Sequence, residues 1–146
     1  IHAEHISRGG DPFEFGNSRP LDFGHWLAHK LESLSRGQIR HGEAVSIGIA
    51  SDSYTAMMLN LISETEFREI IDLLLSCGLP IYCDLLSEKA QRQKILLSGL
   101  DEFREHLGGE LSLAMPNGIG KKTEISEIDP QNILESFKVL QDLQKR

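Results

Sequence analysis

The chain has no surplus of positive charge: Lys and Arg total 15 against 22 Asp and Glu, which gives a formal charge of −7 and a pI near 5.3. That balance speaks against a nucleic-acid partner, since such binding relies on neutralising phosphates with Lys and Arg. No apolar run is long enough to span a bilayer, so no membrane partner is expected. Only two cysteines occur, Cys77 and Cys83, and no signal-like segment opens the chain. Together these read as a cytoplasmic protein with free thiols. Internal repeats and low-complexity stretches are lacking. A Gly-rich dinucleotide fingerprint is lacking too, because Gly108-Gly109 and Gly118-x-Gly120 do not sit in a strand-loop-helix setting.

What is present fits one folded unit over residues 1–146. The length suits a single domain and is short for a two-domain enzyme. Hydrophobic residues at 40% and charged residues at 25% are ordinary for a globular protein. The segment Ile1 to Arg8 lacks an initiator Met and enters abruptly, which raises the expectation of a truncated or processed N-terminus, although a cleaved tag would look the same.

Residues 7–24 are rich in Gly, Pro, Asp and Ser and read as a loop with several turns. From His25 to Ser35 the apolar residues Trp26, Leu27, Leu31 and Leu34 recur at helical spacing, with Gly37 as the stop. His41 to Asn60 is apolar on nearly all sides, and its small residues Gly42, Ala44, Gly48 and Ala50 permit close helix approach, so it reads as a central buried helix. Ser63 and Glu66 have capping-box spacing and open a helix to about Leu75, ended by Gly78 and Pro80. Leu85 to Leu97 and Leu100 to Leu107 read as two helices divided near Gly99. Glu110 to Met115 and Thr123 to Ile128 alternate polar and apolar residues around Pro116, Asn117 and Gly118, which predicts a hairpin. Asp129 and Pro130 then start a last helix to about Leu143. The fold class is mainly α, with a small β-hairpin.

Chemistry concentrates in the histidines. Of six, His2, His5, His25 and His29 fall in the first 29 residues, and His41 opens the apolar helix. Imidazole suits zinc and similar ions, and an i, i+4 pair on a helix can converge on one ion. The His25–His29 pair alone is weak evidence, for H-x-x-x-H arises by chance and satisfied core or surface histidines are commoner. Trp26 stands where an H-E-x-x-H protease would carry its general base, which speaks against that class. An ionisable ring at the head of an apolar helix needs a partner or a ligand role, so His41 is either bonded to a nearby acceptor or a ligand. Glu43 has a bland role as a first-turn carboxylate favoured by the helix dipole.

Two strings carry more information than any pair. Leu21-Asp22-Phe23-Gly24-His25-Trp26-Leu27-Ala28-His29-Lys30-Leu31-Glu32 resembles the N-F-G-H-x-x-x-H-x-I-E signature of dehydroquinate synthases. His41-Gly42-Glu43-Ala44-Val45-Ser46-Ile47-Gly48-Ile49 resembles their H-G-E-A-V-x-I-G-M signature. Order and spacing agree, and the likeness extends more loosely along the chain. The resemblance implies the helical C-terminal domain of the dehydroquinate synthase-like fold, with the NAD-binding domain and a third ligand, a Glu, lying before Ile1. It implies His25 and His41 as ligands to a divalent metal, zinc or alternatively cobalt, and His29 as a catalytic, substrate-contacting histidine. It also implies a phosphorylated sugar substrate, NAD in the full-length parent, and a homodimer in that form. The fragment alone is expected to be inactive.

Departures from the signature bear on substrate. Asp22 replaces an Asn, and the acidic loop carrying Asp11 and Glu14 has its Arg19 displaced by one position. The family's D-K-K-x-x-x-G-x-L segment has become Phe103 to Leu111, where Arg104 could still meet a phosphate or simply face solvent. By resemblance Asp11, Glu14, Arg19, Asp22 and Arg104 are substrate-binding candidates. The changes point to a divergent sugar-phosphate cyclase. A noncatalytic helical binding module and an iron-dependent alcohol dehydrogenase-like domain stay open as alternatives.

Overall fold

The computed structural model describes residues 22–87, 89–106, 108–109 and 111–145. The loop expected over residues 7–24 lies almost entirely outside them. Helix α1 spans His25–Ser35 and buries Trp26, Leu27, Ala28 and Leu31. It stops where Arg36 and Gly37 both take positive φ, and their N–H groups return to the carbonyls of Ser33 and Glu32. Helix α2, His41–Met58, buries eleven residues, among them Ala44, Ile47, Gly48, Ala50 and Asp52. Glu43 caps its start by accepting from the Arg40 N–H at 3.1 Å. Among the described residues no helix is long and apolar enough to cross a membrane. Cys77 and Cys83 are free thiols.

The other elements hold α2 in place. Helix α3, Glu64–Ser76, opens with the capping box: Ser63 Oγ accepts from Glu66 N, and Glu66 Oε1 accepts from Ser63 N, each at 3.0 Å. Glu66 Oε2 also accepts from Ile119 N at 3.0 Å, tying a turn of the hairpin to this helix. Strands β1, Leu113–Pro116, and β2, Lys122–Ile125, pair antiparallel with Leu113 opposite Ile125 and Pro116 opposite Lys122. They are shorter than the alternation predicts. Successive residues Leu113, Ala114 and Met115 are all buried, so β1 is covered on both faces, and only β2 keeps the alternating pattern. Helix α5, Pro130–Gln144, starts at Asp129, whose carboxylate accepts from Gln131 N at 2.9 Å. It packs along α2 with a buried Ser51–Ser136 hydrogen bond of 2.8 Å.

One expected boundary is wrong. Residues Ala90–His106 form a single helix, α4, that runs through Gly99, while Leu85 and Leu86 belong to a 3-10 turn, Asp84–Leu86, before it. Gly99 does not break the helix. It lets α4 approach α1, for a Cβ there would lie 3.2 Å from Lys30 Cβ and 3.4 Å from Trp26 Cε3. Lys30 and Glu102 join the same two helices by a 2.6 Å ion pair.

The turn into α1 and the middle of α2 approach closely. Gly24, at φ +79°, turns the chain into α1, and a Cβ added to Gly48 would fall 1.9 Å from the Gly24 carbonyl oxygen. Asp52, one turn further along α2, is 2% exposed. Its Oδ2 accepts from Gly24 N at 3.1 Å and its Oδ1 from Trp26 Nε1 at 3.0 Å. The carboxylate therefore spans His25 on either side. Burial pushes the Asp52 pKa from an ordinary 3.8 up to about 7, against the opposing pull of these two hydrogen bonds.

Gly48→Ala should lower the unfolding free energy by at least the roughly 1–3 kcal/mol typical of an overpacked site. Gly42→Ala, with nothing within 4 Å of the new methyl group, should be neutral or stabilising by about 0.5–1 kcal/mol. Urea unfolding of the two variants checks the contrast. Asp52 has a folded-state pKa above its unfolded value, so its contribution is complete below pH 3.8 and is lost as pH rises to about 7. The stability of the natural chain relative to Asp52→Asn, whose side chain does not titrate, should fall across that window and level off above it. A difference independent of pH would remove this assignment.

Candidate metal centre

Because α1 begins at His25 and α2 at His41, the docking of these helices decides where both rings lie. His25 is half-buried at the head of α1, and His29 is exposed one turn on. The link through Gly37 brings the head of α2 back to the same place. The His25 and His41 ring centroids are 5.4 Å apart at an interplanar angle of 56°. His29 meets His25 edge to face at 5.6 Å. Two imidazoles sharing one tetrahedral ion at Zn–N distances of about 2.0–2.1 Å have centroids roughly 5 Å apart, so either spacing is compatible with a common ion.

Hydrogen bonds distinguish the rings. His25 Nδ1 lies 3.2 Å from the Phe23 carbonyl, which can only accept. In the neutral ring the proton is therefore on Nδ1 and the Nε2 lone pair is free. His41 Nδ1 lies 2.8 Å from Glu32 Oε1, with the same consequence. Among the described residues neither Nε2 makes a hydrogen bond. This is how metal-bound histidines are commonly held, with one nitrogen on a carbonyl or carboxylate and the other on the ion.

Two imidazoles are gathered among the described residues. Among the described residues no group of three His, Cys, Asp or Glu side chains is placed to hold an ion, whereas a working site uses three protein ligands and keeps a fourth position open. His25 and His41 fit part of such a shell. His29, exposed beside them, offers an imidazole that can carry a proton to or from a bound molecule.

The other candidates are less closely gathered. Asp22 is half-buried, two residues before Gly24. Asp11, Glu14 and Arg19 lie outside the described residues. Arg104 faces Asp101 at 3.7 Å and lines a groove with Lys94, Ser126 and Glu127, in which none of the three histidines takes part. Two residues with evident parts in the geometry carry no role in the sequence reading. Glu32 stands seven positions after His25 on one helix face, and Asp52 is the lone carboxylate in the middle of an apolar helix. Those placements are the signals that could have found them.

Comparison with known proteins bears on the family and the fold. The 3-dehydroquinate synthase C-terminal family matches residues 1–98. The chain is 30% identical over 138 residues to a 3-dehydroquinate synthase of Thermodesulfovibrio yellowstonii, covering 92% of this chain and 37% of that protein. It is 28% identical over 121 residues to a 2-epi-5-epi-valiolone synthase of Streptomyces glaucescens, covering 82% and 30%. In fold it is similar to ValA, a 2-epi-5-epi-valiolone synthase from Streptomyces hygroscopicus subsp. jinggangensis solved with NAD+ and Zn2+ bound. The TM-score is 0.83 at 23% identity, over 97% of this chain and 37% of that one. The chain thus spans 30% to 37% of the length of these relatives. Its histidine strings, helical architecture and sequence matches agree: the chain belongs to the 3-dehydroquinate synthase C-terminal family, within the sugar-phosphate cyclase superfamily.

Proposed function

We propose that this chain is the metal- and substrate-binding part of an NAD- and divalent-metal-dependent sugar-phosphate cyclase, which eliminates phosphate and closes a ring by an intramolecular aldol step. The observation that carries it is the meeting of His25 and His41, each with Nδ1 tied back and Nε2 free, in a member of this family. The nucleotide-binding half and the third ligand, a Glu, belong to sequence outside this chain. NAD is the cofactor of the complete protein, zinc the metal, and cobalt a substitute. The complete protein is a cytoplasmic homodimer.

A divalent ion held there would polarise substrate oxygens and so ease the loss of a neighbouring proton. The chain's own residues have separate tasks. His25 and His41 hold the ion from two helices whose depth is set by the Gly24–Gly48 contact. His29, beside them and exposed, moves a proton on the bound substrate. Asp22 places a carboxylate where dehydroquinate synthases carry an amide, which changes the hydroxyls and anions accepted. With Asp11, Glu14, Arg19 and Arg104 as the further substrate contacts, the substrate is a seven-carbon ketose phosphate or a related acid. Arg104 supplies the forked donors suited to its phosphate.

A noncatalytic helical module that keeps the histidines as relics is the second reading. Zinc calorimetry separates the ligand assignment from it: His25→Ala with His41→Ala should lower affinity at least tenfold, and retained affinity would show the ligand set to be wrong. Joined to its nucleotide-binding half and given NAD and zinc, the protein should release phosphate from a panel of seven-carbon ketose phosphates; no turnover across the panel favours the noncatalytic module. In the active protein, His29→Ala should lower kcat by about 10²–10⁴-fold with zinc content unchanged.

A further inference from the structure

His41 is the more exposed of the two proposed ligands. It opens α2 on the surface with a side chain 60% exposed, its ring set 5.4 Å from that of His25. His25, by contrast, is half-buried beside a fixed turn and bonded to a carbonyl two residues away. A neutral imidazole facing water is free to carry its proton on either nitrogen, and protonation of Nε2 would remove the lone pair a metal needs. The 2.8 Å contact to Glu32 Oε1 settles which nitrogen it is, because an ionised carboxylate only accepts.

Glu32 is well placed for this. Its side chain is 33% exposed, on the last turns of α1, and it reaches across to the first residue of α2 over the Arg36–Gly37 turn. Its own backbone carbonyl accepts from Gly37 N at 3.2 Å, so the residue holding the ring also helps set the turn that returns the chain to His41. The helix bearing His25 thereby fixes the orientation of the ring on the neighbouring helix.

We propose that Glu32 is a positioning residue: by accepting the Nδ1–H of His41 it holds that ring in the tautomer whose Nε2 is free to bind a divalent cation beside His25. The metal half of this statement rests on the function proposed above, while the tautomer half does not.

Long-range proton–nitrogen correlation spectra of the metal-free 146-residue chain, at about pH 8 where an ordinary imidazole is neutral, read the tautomer directly. The natural chain should show His41 protonated on Nδ1. Glu32→Ala should move it toward the Nε2-protonated form that free histidine prefers, and Glu32→Gln, whose amide oxygen still accepts, should restore the Nδ1 form. The His25 tautomer, bonded to Phe23, should stay unchanged in both variants. Zinc titration should then give an affinity about 10–100-fold lower for Glu32→Ala than for the natural chain, the usual scale for such outer partners. The Gln variant should recover part of that loss.

An Nε2-protonated His41 in the natural chain, or a tautomer indifferent to Glu32→Ala, overturns the positioning role whether or not zinc binds. A tautomer that follows Glu32 in a chain without zinc affinity supports the positioning role and overturns the metal reading alone. A merely structural ion pair would alter the unfolding midpoint of both variants and leave the nitrogen signals where they were.

Discussion

The contact between the Gly24 carbonyl and the Cα of Gly48 is the constraint on which the rest of the arrangement hangs. No side chain can be admitted there, since a methyl group on Gly48 would overlap the carbonyl oxygen. Two backbones consequently touch at the start of α1 and the middle of α2, and Asp52 secures the contact by taking the Gly24 N–H and the Trp26 indole N–H on its two oxygens. Burying a carboxylate is unfavourable, and the same burial pushes its pKa upward. Two well-placed donors offset part of that cost and determine how the first turn of α1 is seated.

That seating has a direct chemical consequence, because His25 lies between the two residues Asp52 holds. The head of α2 is carried to it by the short turn after Ser35, and the His25 and His41 rings meet although sixteen positions separate them in sequence. The apolar remainder of the chain serves this geometry indirectly. Helix α5, the hairpin and α3 surround α2, and α4 lies against α1 through the space that Gly99 leaves open. Polar groups gather at the helix heads, where the backbone leaves donors unpaired and the side chains can reach one another.

Much of the fold was legible because its punctuation is local. Ser63 with Glu66, Asp129 with Pro130, and Gly37 each act within one helical turn, so those boundaries were recognisable from sequence. Gly99 was misread for the complementary reason: a glycine inside a helical pattern signals either an end or a close neighbour, and the neighbour here is Trp26 on another helix. The strands were overestimated because alternation describes a half-exposed strand, and β1 is covered on both sides. Of the candidate site, the three histidines were legible through their two strings. Glu32 and Asp52 were not, since their importance lies in contacts across nine and twenty-six or more positions.

The sequence by itself determined the helical class, most helix ends, the likeness to the dehydroquinate synthase signatures and the choice of His25, His29 and His41. Each of these depends on residue type and spacing, which the chain carries without reference to its fold. Only the tertiary structure decided that the three rings share one place, that Nδ1 of His25 and of His41 is already engaged, and that Arg104 lines a groove without histidines. Those facts depend on how closely two backbones can approach and on which acceptor stands within hydrogen-bond reach, and distance in space is not written in distance along the chain.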